Sequence, residues 1–313
     1  LYLKGFVTMS LTLNQVETPL FDAIVVGAGV AGVTCAVWLK RLGYSVLLVE
    51  GSRQVGGMCV RNPFKDEWNP TAPGLTGKEV AANLVASLAL ADIEPLLGHQ
   101  VQSVQVLENG FALEVRGIKQ TEQFFYSKKI VVATGVDYKE PAECAGQAFD
   151  DVLIGAGARL NNYDFKDKRV AVLGGGDNAL ENALFAQNRG AAEVTVYART
   201  LRGQAHWLQR LQSEQVIVGD YVFDPTKKEV AGQRYDVVLV FYGYEPQVQW
   251  LKGAGVGFDA KSYLEVDFAT TETAVAGLYA IGEVTSRQHP CVVTAMADGV
   301  TAAKAIQKAL SLD

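Results

Sequence analysis

The chain has 313 residues, of which 49% are hydrophobic and 20% charged, and this predicts about two globular domains. Its 28 basic and 34 acidic side chains leave a formal net charge of −6, which disfavours a nucleic-acid partner. The four cysteines form no CxxC motif, and no apolar run approaches the about 20 residues of a membrane span, which excludes a zinc ribbon, a disulfide-dense secreted scaffold and a transmembrane segment. We expect a cytoplasmic protein without a metal site, preceded at 1–19 by a tail or an expression remnant.

The predicted elements alternate between strands and amphipathic helices, which is typical of parallel sheets. The first set has strands at 21–26 and 45–50, helices at 30–42 and 78–90, and antiparallel strands at 101–115 and 123–133. The same order then starts again with a strand at 169–173, a helix at 179–188 and a strand at 193–197. A strand at 277–281 and a helix at 292–309 follow. The repeated order predicts two nucleotide-binding units in one chain.

The first glycine turn, GAGVAG at 27–32, follows a strand and opens a helix. Gly27 permits the tight turn, Gly29 lets a pyrophosphate approach the backbone, and Gly32 allows close packing of helix on strand. The N–H groups and the dipole at the start of the helix favour an anion. Glu50 ends the next strand, where a carboxylate binds ribose hydroxyls. Together these features predict a dinucleotide site.

The second glycine turn, GGGDNA at 174–179, also lies between a strand and a helix. Its three motif positions are filled by Gly174, Gly176 and Ala179. The position equivalent to Glu50 is interpreted as Tyr197, which is not acidic, and Arg199 and Arg202 follow it. Guanidinium groups suit a 2′-phosphate, so this site is predicted to favour NADP over NAD. The alternative is that both arginines belong to an ordinary solvated basic loop.

Several segments together resemble the low-molecular-weight thioredoxin-reductase-like flavoproteins. The segments are the first glycine turn with Glu50, the Gly56-Gly57 pair, ATG at 133–135, GGGDNALENA at 174–183, GYEP at 243–246 and GLYAIGEVTSRQ at 277–288. The resemblance implies an α/β fold of two Rossmann-like, three-layer ββα dinucleotide-binding domains, with the second inserted into the first. Residues 20–137 and 239–313 would form the FAD-binding domain, and residues 138–238 the second, NADP-type domain. The family usually forms homodimers.

The resemblance also implies which residues bind FAD. These positions are Gly27, Gly29, Gly32, Glu50, Gly57, Gly282, Glu283, Arg287 and Gln288. The first four would hold the ADP moiety. Glu283 would lie at the ribitol, where the family normally has an aspartate, so the acceptor is kept on a longer arm. Arg287 and Gln288 would lie beside the isoalloxazine ring.

The chain departs from the family where thioredoxin reductases carry their CxxC, shortly before the second glycine turn. This chain has GARLNN at 157–162, which contains no sulfur. The basic HRR segment of the family reads Tyr197-Ala198-Arg199 here. Ordinary NADPH-dependent reduction of thioredoxin through a CxxC dithiol is therefore disfavoured.

Two of the four cysteines lie in segments that the resembled fold brings to the flavin. Cys59 follows the Gly56-Gly57 pair, and Cys291 follows Arg287-Gln288 at the start of the last helix. A helix N-terminus favours the thiolate, and His289 could be its acid–base partner. These residues predict a Cys59–Cys291 redox pair, and the alternative is two unrelated buried thiols. Cys35 and Cys144 lack such a placement.

The favoured hypothesis is an FAD-dependent disulfide oxidoreductase that uses the Cys59–Cys291 pair and carries NADPH or a second FAD in the inserted domain. A second FAD would match the cyanobacterial diflavin-linked disulfide oxidoreductases. The redox partner would be a protein or a small thiol or disulfide. One alternative is a ferredoxin– or flavodoxin–NADP reductase of the thioredoxin-reductase-like type, although those usually extend beyond the last helix, whereas this chain ends at Asp313. The other is a non-catalytic flavin-binding redox sensor.

Overall fold

The computed structural model describes residues 19–66 and 68–311, so the predicted tail lies outside the described residues except for Pro19. The chain divides into two compact units. Unit 1 ends its first segment at Val136 and resumes at Pro246, and unit 2 is Asp137–Glu245. Each unit contains a sheet with parallel strands and helices, which confirms the predicted α/β fold with two Rossmann-like units. No helix in the described ranges is long and apolar enough to cross a bilayer.

Unit 1 is built on a seven-stranded sheet with the order β5-β2-β1-β8-β7-β6, in which β19 also pairs with β8. Its strands, with the small β3–β4 pair, are β1 Leu20–Val26, β2 Val46–Glu50, β3 Lys65–Asp66, β4 Leu75–Thr76, β5 Leu96–Leu97, β6 Gln100–Leu107, β7 Gly110–Arg116, β8 Glu122–Val132 and β19 Leu278–Ala280. The long β8 pairs in parallel with β1, antiparallel with β7 over its first half, and in parallel with β19 near its end. The carboxyl ends of β1, β2, β8 and β19 therefore meet at one edge.

Three helices cover this sheet: α1 Val30–Arg41, α2 Gly77–Leu90 and α6 Val292–Leu310. Along β1, Ala23 and Val25 join the buried cluster with α1 and α6, whereas Ile24 and Val26 join the cluster on the opposite face. This alternation follows from the period of two in a strand. The N-terminus of α2 is fixed by a capping box, in which Thr76 Oγ1 accepts from the Glu79 N–H and Glu79 Oε2 accepts from the Thr76 N–H.

The strand predicted at 101–115 is wrong, because the structure folds this segment into a hairpin. β6 and β7 pair antiparallel, and the register ends with Leu107 opposite Gly110. Gly110 has a φ of 153°, in a region that favours glycine. The Asn109-Gly110 step is the turn signal that divides this segment into two strands.

Unit 2 has a five-stranded sheet with the order β10-β17-β11-β12-β13, and each of its pairings is parallel. These strands are β10 Val152–Ile154, β11 Arg169–Leu173, β12 Glu193–Ala198, β13 Val216–Val218 and β17 Val237–Val240. The helices of unit 2 are α3 Ala158–Asn161, α4 Asp177–Asn188 and α5 Ala205–Leu208. A small antiparallel sheet contains β14 Phe223–Asp224, β15 Glu229–Val230 and β16 Gln233–Arg234. β9 Val136–Tyr138 and β18 Tyr244–Pro246, at the two chain crossings, pair with each other.

The strand β11 again separates two buried clusters. Val170 and Val172 pack with α4, whereas Ala171 and Leu173 pack with Tyr197 on the opposite face. The boundary predicted after residue 238 would cut β17, which is hydrogen-bonded between β10 and β11 in this sheet. Unit 2 instead extends to Glu245.

Candidate functional site

The first glycine turn connects β1 to α1 and is shaped by close backbone contacts. The Gly27 N–H donates to the Val49 carbonyl at 2.7 Å, and Gly27 has a φ of 108°. A Cβ on Gly27 would lie 2.3 Å from the Ala133 carbonyl oxygen, and one on Gly32 would lie 1.9 Å from the Gly27 carbonyl oxygen. Only glycine fits at these two positions, so the protein's own packing determines the turn.

Gly29 is surrounded differently. A Cβ there would meet no described atom closer than the Cα of Gly57, at 3.9 Å. Gly29 is the N-cap of α1, so the N–H groups that follow it have no intrahelical acceptor. The protein thus leaves space and free donors where a pyrophosphate would approach the backbone, and these residues fit a dinucleotide.

Glu50 ends β2 and is held by two backbone donors. Its Oε2 accepts from the Ala28 N–H at 2.7 Å and its Oε1 from the Ser52 N–H at 2.7 Å. Each carboxylate oxygen keeps a further lone pair for a ribose hydroxyl. The carboxylate is therefore oriented beside the first glycine turn before any ligand is bound.

Two later segments meet the start of α1. A Cβ on Gly57 would lie 3.1 Å from the Gly29 Cα, and one on Gly282 would lie 3.0 Å from the Ala31 Cβ. Gly282 opens the short helical turn Gly282–Val284, which contains Glu283. Burial raises the pKa of Glu283. The structure thus brings the predicted positions Gly29, Gly57 and Gly282 together.

Asp298 on α6 connects two of the predicted FAD-binding residues, Gly282 and Arg287. The sequence did not predict a role for Asp298. Its side chain is 3% exposed and accepts from the Gly282 N–H at 3.2 Å and from Arg287 Nε at 2.7 Å, and it also pairs with Arg287 Nη2. The Arg287 guanidinium also lies over the Phe268 ring, and Gln288 is exposed. The available signal was an acidic residue on the core-facing stripe of a helix, where an unpaired charge is rare.

The four cysteines are free thiols in contrasting environments. Cys59 lies in the helical turn Gly57–Arg61, and its pKa is raised to about 11 by burial and by the carboxylates of Asp66 and Glu283. This is the opposite of the lowered pKa that activates a thiol. Burial also raises the pKa of Cys35 and of Cys144, and the latter lies near two glutamates.

Cys291 is exposed and is the N-cap of α6. Its N–H donates to Thr294 Oγ1 at 3.0 Å, and its Sγ lies 3.5 Å from the same oxygen. His289 is exposed, has a φ of 54°, and its carbonyl accepts from Thr294 Oγ1 at 3.2 Å. The structure thus places Cys291 and His289 in one loop pinned by Thr294, and it forms no disulfide between Cys291 and Cys59.

The second glycine turn connects β11 to α4. The Gly174 N–H donates to the Tyr197 carbonyl at 2.9 Å, and a Cβ on Gly174, whose φ is 142°, would lie 2.5 Å from the Phe241 carbonyl oxygen. A Cβ on Gly176 would meet no described heavy atom within 4 Å. This turn therefore also leaves space for a pyrophosphate at the start of a helix, and its residues fit a second dinucleotide.

The hydrogen bonds of the two turns correct the predicted equivalence of Tyr197 and Glu50. Gly27 bonds to Val49 and Gly174 bonds to Tyr197, so Tyr197 corresponds to Val49, and Ala198 stands where Glu50 stands. Tyr197 is buried and its hydroxyl lies 2.8 Å from that of Tyr235. The prediction misplaced the register by one residue, because it ended the strand at 197, whereas β12 continues to Ala198.

Residues 199–204, hereafter the basic loop, follow β12 and lie against the second glycine turn. The N–H groups of Arg202 and Gly203 donate to the Gly175 carbonyl at 2.6 and 2.9 Å. The Arg199 guanidinium lies 5.8 Å from the centre of the Tyr221 ring. Both arginines are exposed, so their charges are available beside the turn.

Comparisons with known proteins identify the family of the chain. The profile of the family described as pyridine nucleotide-disulphide oxidoreductase matches residues 21–299. A thioredoxin reductase of Streptomyces coelicolor is 26% identical over 90% of this chain and 91% of its own length. A ferredoxin–NADP reductase of Limosilactobacillus fermentum is 29% identical over 84% of this chain and 85% of its own length.

Solved structures share the fold. The thioredoxin reductase of T. acidophilum is 25% identical, has a TM-score of 0.75, and is matched over 94% of this chain and 99% of its own. The bacillithiol disulfide reductase of Bacillus cereus has a TM-score of 0.79 over 93% of this chain and 100% of its own, at 18% identity. The second similarity concerns the fold alone.

Proposed function

Since the chain belongs to the pyridine nucleotide-disulphide oxidoreductase family, we propose that it is a thioredoxin-reductase-like flavin-dependent oxidoreductase with FAD in unit 1 and an NADP-type dinucleotide in unit 2. The observation that carries the proposal is the pair of glycine turns. Each leaves room at its second motif glycine, Gly29 or Gly176, while the first motif glycine is fixed by packing. FAD, when bound, supplies a carrier that accepts and releases two electrons.

In unit 1, Gly29 admits the pyrophosphate and Glu50 accepts hydrogen bonds from the ribose. Gly282 lies against the start of α1, and Glu283, the next residue of the same helical turn, would bind the ribitol. Arg287 and Gln288 would flank the isoalloxazine, and Asp298 holds the Arg287 guanidinium through Nε at 2.7 Å. A buried carboxylate paired in this way orders an arginine that would otherwise be mobile.

In unit 2, Gly174, Gly176 and Ala179 would hold the pyrophosphate, and Arg199 and Arg202 would bind the adenosine 2′-phosphate. The substitution of Ala198 for the ribose-binding acid supports this preference, because no carboxylate stands there to accept from a free 2′-hydroxyl or to repel a phosphate. A second FAD remains the competing ligand, and it would need the ribose acceptor that Ala198 does not provide.

For the thiol chemistry we propose that Cys291 exchanges with a disulfide of the redox partner and Cys59 completes an intramolecular disulfide. Attack by the Cys291 thiolate releases one partner thiol, and attack by Cys59 on the mixed disulfide releases the other. Reducing the resulting Cys59–Cys291 bridge takes two electrons and two protons, and His289 is the proposed proton carrier. The exposure of Cys291 supports its role as the exchanging thiol.

The environment of Cys59 favours a second candidate, a ferredoxin– or flavodoxin–NADP reductase without a redox disulfide. A thiol with a pKa of about 11 is almost fully protonated at pH 7, so it attacks a mixed disulfide slowly. The relative of Limosilactobacillus fermentum carries this type of name. The two candidates differ in the number of electrons that the protein stores.

An anaerobic reductive titration of the air-oxidised holoprotein separates the candidates. Each bound FAD takes up two electrons and a disulfide takes up two more, so a chain with one bound FAD takes up two electrons without a redox disulfide and four with one. For the disulfide enzyme, Cys59→Ser and Cys291→Ser each lower the uptake from four electrons to two, while Cys35→Ser and Cys144→Ser leave it at four. An uptake of two electrons by the unmodified chain, with NADPH-driven reduction of ferredoxin or flavodoxin, assigns the disulfide-free reductase instead.

A further inference from the structure

The basic loop is held against the second glycine turn by more than the two bonds to Gly175. Asp177, the first residue of α4, accepts from the Gln204 N–H through Oδ1 at 2.7 Å and from Gln204 Nε2 through Oδ2 at 2.9 Å. One carboxylate therefore binds both the backbone and the side chain of the last residue in the loop. The loop is anchored at its middle by Gly175 and at its end by Asp177.

The loop approaches so closely that glycine is required at the two points of contact. A Cβ on Gly175 would lie 2.0 Å from the Thr200 carbonyl oxygen. A Cβ on Gly203 would lie 2.3 Å from Leu180 Cδ1, on α4. The backbone of Gly175 is outside the left-handed region, so the glycine is needed for this contact and not for the shape of the turn.

The first glycine turn confirms that the middle position has no intrinsic need for glycine. Ala28 occupies it there, and its N–H donates to Glu50. In the second turn Gly175 replaces that alanine, and the neighbouring contact is made by the basic loop. The glycine at position 175, between Gly174 and Gly176, thus indicates in the sequence that a loop packs against the turn.

We propose that Asp177 and Gln204 are positioning residues that close the basic loop on the second glycine turn and so order Arg199 and Arg202 before the ligand binds. The proposal rests on the NADP-type site proposed above. It adds that contacts within the protein order the two arginines of this site. Preordering lowers the entropic cost of binding, and here the gain applies to the group that the two arginines bind, the 2′-phosphate. The Asp177–Gln204 pair then contributes to discrimination and little to the affinity for the rest of the nucleotide.

The test measures dissociation constants by calorimetry on the FAD-loaded full chain at pH 8, where the phosphates are ionised. The probes are adenosine 2′,5′-bisphosphate and adenosine 5′-monophosphate, which differ only in the 2′-phosphate. We expect Asp177→Ala to lower the preference for the bisphosphate over the monophosphate about tenfold, a ratio from which the effect of the lost charge on both anions cancels. Gly175→Ala opens the loop by a steric route and should give the same loss of discrimination.

Further variants separate the contact from charge and from folding. Asp177→Asn removes the charge but keeps an oxygen that can accept from the Gln204 N–H, so most of the discrimination should return. Gln204→Ala removes the Nε2 bond to Asp177 and keeps the backbone N–H bond, so it should weaken the bisphosphate alone, by less than Asp177→Ala does. Gln187→Ala, at an exposed glutamine on α4, is its matched control and should leave both constants unchanged.

Two outcomes would contradict the positioning proposal, and a third would contradict the NADP-type site on which it rests. Tighter binding of both probes by the same factor in Asp177→Ala would show that its charge alone matters, and weakening of both by the same factor would show a merely structural role. Either result overturns the positioning proposal. If the unmodified chain does not distinguish the two probes, the NADP-type site itself is refuted.

Discussion

The first and second glycine turns share one backbone frame and differ in what surrounds their middle residue. Gly27 and Gly174 each donate to the neighbouring strand, at Val49 and Tyr197. In unit 1 the middle residue is Ala28, and its N–H is taken by the carboxylate of Glu50. In unit 2 it is Gly175, and its carbonyl is taken by the basic loop.

The comparison shows how one frame can serve two ligands. A carboxylate at the end of the second strand accepts from ribose hydroxyls and repels a phosphate, whereas a small residue followed by arginines does the reverse. In this chain the change is made at Glu50 and Ala198 without altering the strand–turn–helix geometry. The proposed ligand preference therefore depends on the end of the second strand and the residues that follow it, in addition to the glycine motif.

The largest difference between the two turns is expected from substitutions at the third motif position, which is Gly32 in the first turn and Ala179 in the second. Gly32→Ala places a Cβ 1.9 Å from the Gly27 carbonyl oxygen, so β1 and α1 cannot keep their packing. We expect a loss of about 3 kcal/mol in the free energy of unfolding of unit 1, measured by urea denaturation. Ala179→Gly, at the same position in the second turn, should cost only about 1 kcal/mol. Equal losses would show that the two frames do not differ here.

Substitutions at the second motif position should affect binding more than folding. Gly29→Val and Gly176→Val place their side chains in space that the described protein atoms leave open. We expect each to weaken its own dinucleotide by about 2 kcal/mol or more, and to change the free energy of unfolding by less than about 1 kcal/mol. Bound flavin, measured by absorbance, reports on Gly29→Val, and titration with NADP⁺ reports on Gly176→Val. A variant that loses both ligands would contradict the independence of the two turns.

Much of this comparison could be predicted from the sequence, because local signals define it. The glycine motifs and the repeated strand–turn–helix order identified both units. What failed depended on three-dimensional register: Tyr197 was aligned with Glu50, although hydrogen bonding aligns it with Val49. The anchoring acid Asp298 lies far along the chain from its partner Gly282, and no periodicity links them.

The reactivity of the thiols also depends on residues that the fold brings together and that the sequence pattern does not reveal. The sequence places Cys59 beside the Gly56-Gly57 pair, but its pKa is governed by burial and by Asp66 and Glu283, which the fold brings from other segments. Sequence spacing alone cannot supply these carboxylates. Whether Cys59 pairs with Cys291 stays a prediction.

Removing the acid of unit 1 sharpens the contrast between Glu50 and Ala198. Glu50→Ala leaves the Ala28 and Ser52 N–H groups without their carboxylate acceptor and removes the ribose contact. We expect the affinity for FAD to fall by about 1.5 kcal/mol, measured by equilibrium dialysis of the apoprotein with FAD. The affinity for NADP⁺ should be unchanged, and Glu108→Ala, at an exposed turn residue, is the control. Unchanged FAD binding would remove Glu50 from the site.

The smallest expected effect is a pH dependence confined to unit 2. Glu181 lies one helical turn after Asp177 on α4, and burial together with the Asp177 carboxylate raises its pKa to about 7, against the opposing charge of Arg210. Glu181 is therefore mostly neutral at pH 6 and mostly ionised at pH 8. The corresponding position on α1 is Thr34, which does not titrate in this range.

Ionisation of Glu181 adds a negative charge near the helix start that is proposed to receive the pyrophosphate, so the affinity for an anionic dinucleotide should fall as the pH rises through about 7. The 2′-phosphate of NADP⁺ also titrates, with a second pKa of about 6, so the quantity to compare is the difference between the unmodified chain and Glu181→Gln. We expect the unmodified chain to lose about threefold more affinity than Glu181→Gln between pH 6 and pH 8. Glu214→Gln, at a glutamate outside the turn, should behave like the unmodified chain. Parallel pH profiles for the unmodified chain and Glu181→Gln would mean that the Glu181 charge is screened from the bound pyrophosphate, and the second turn would then differ from the first in its ribose and phosphate contacts alone.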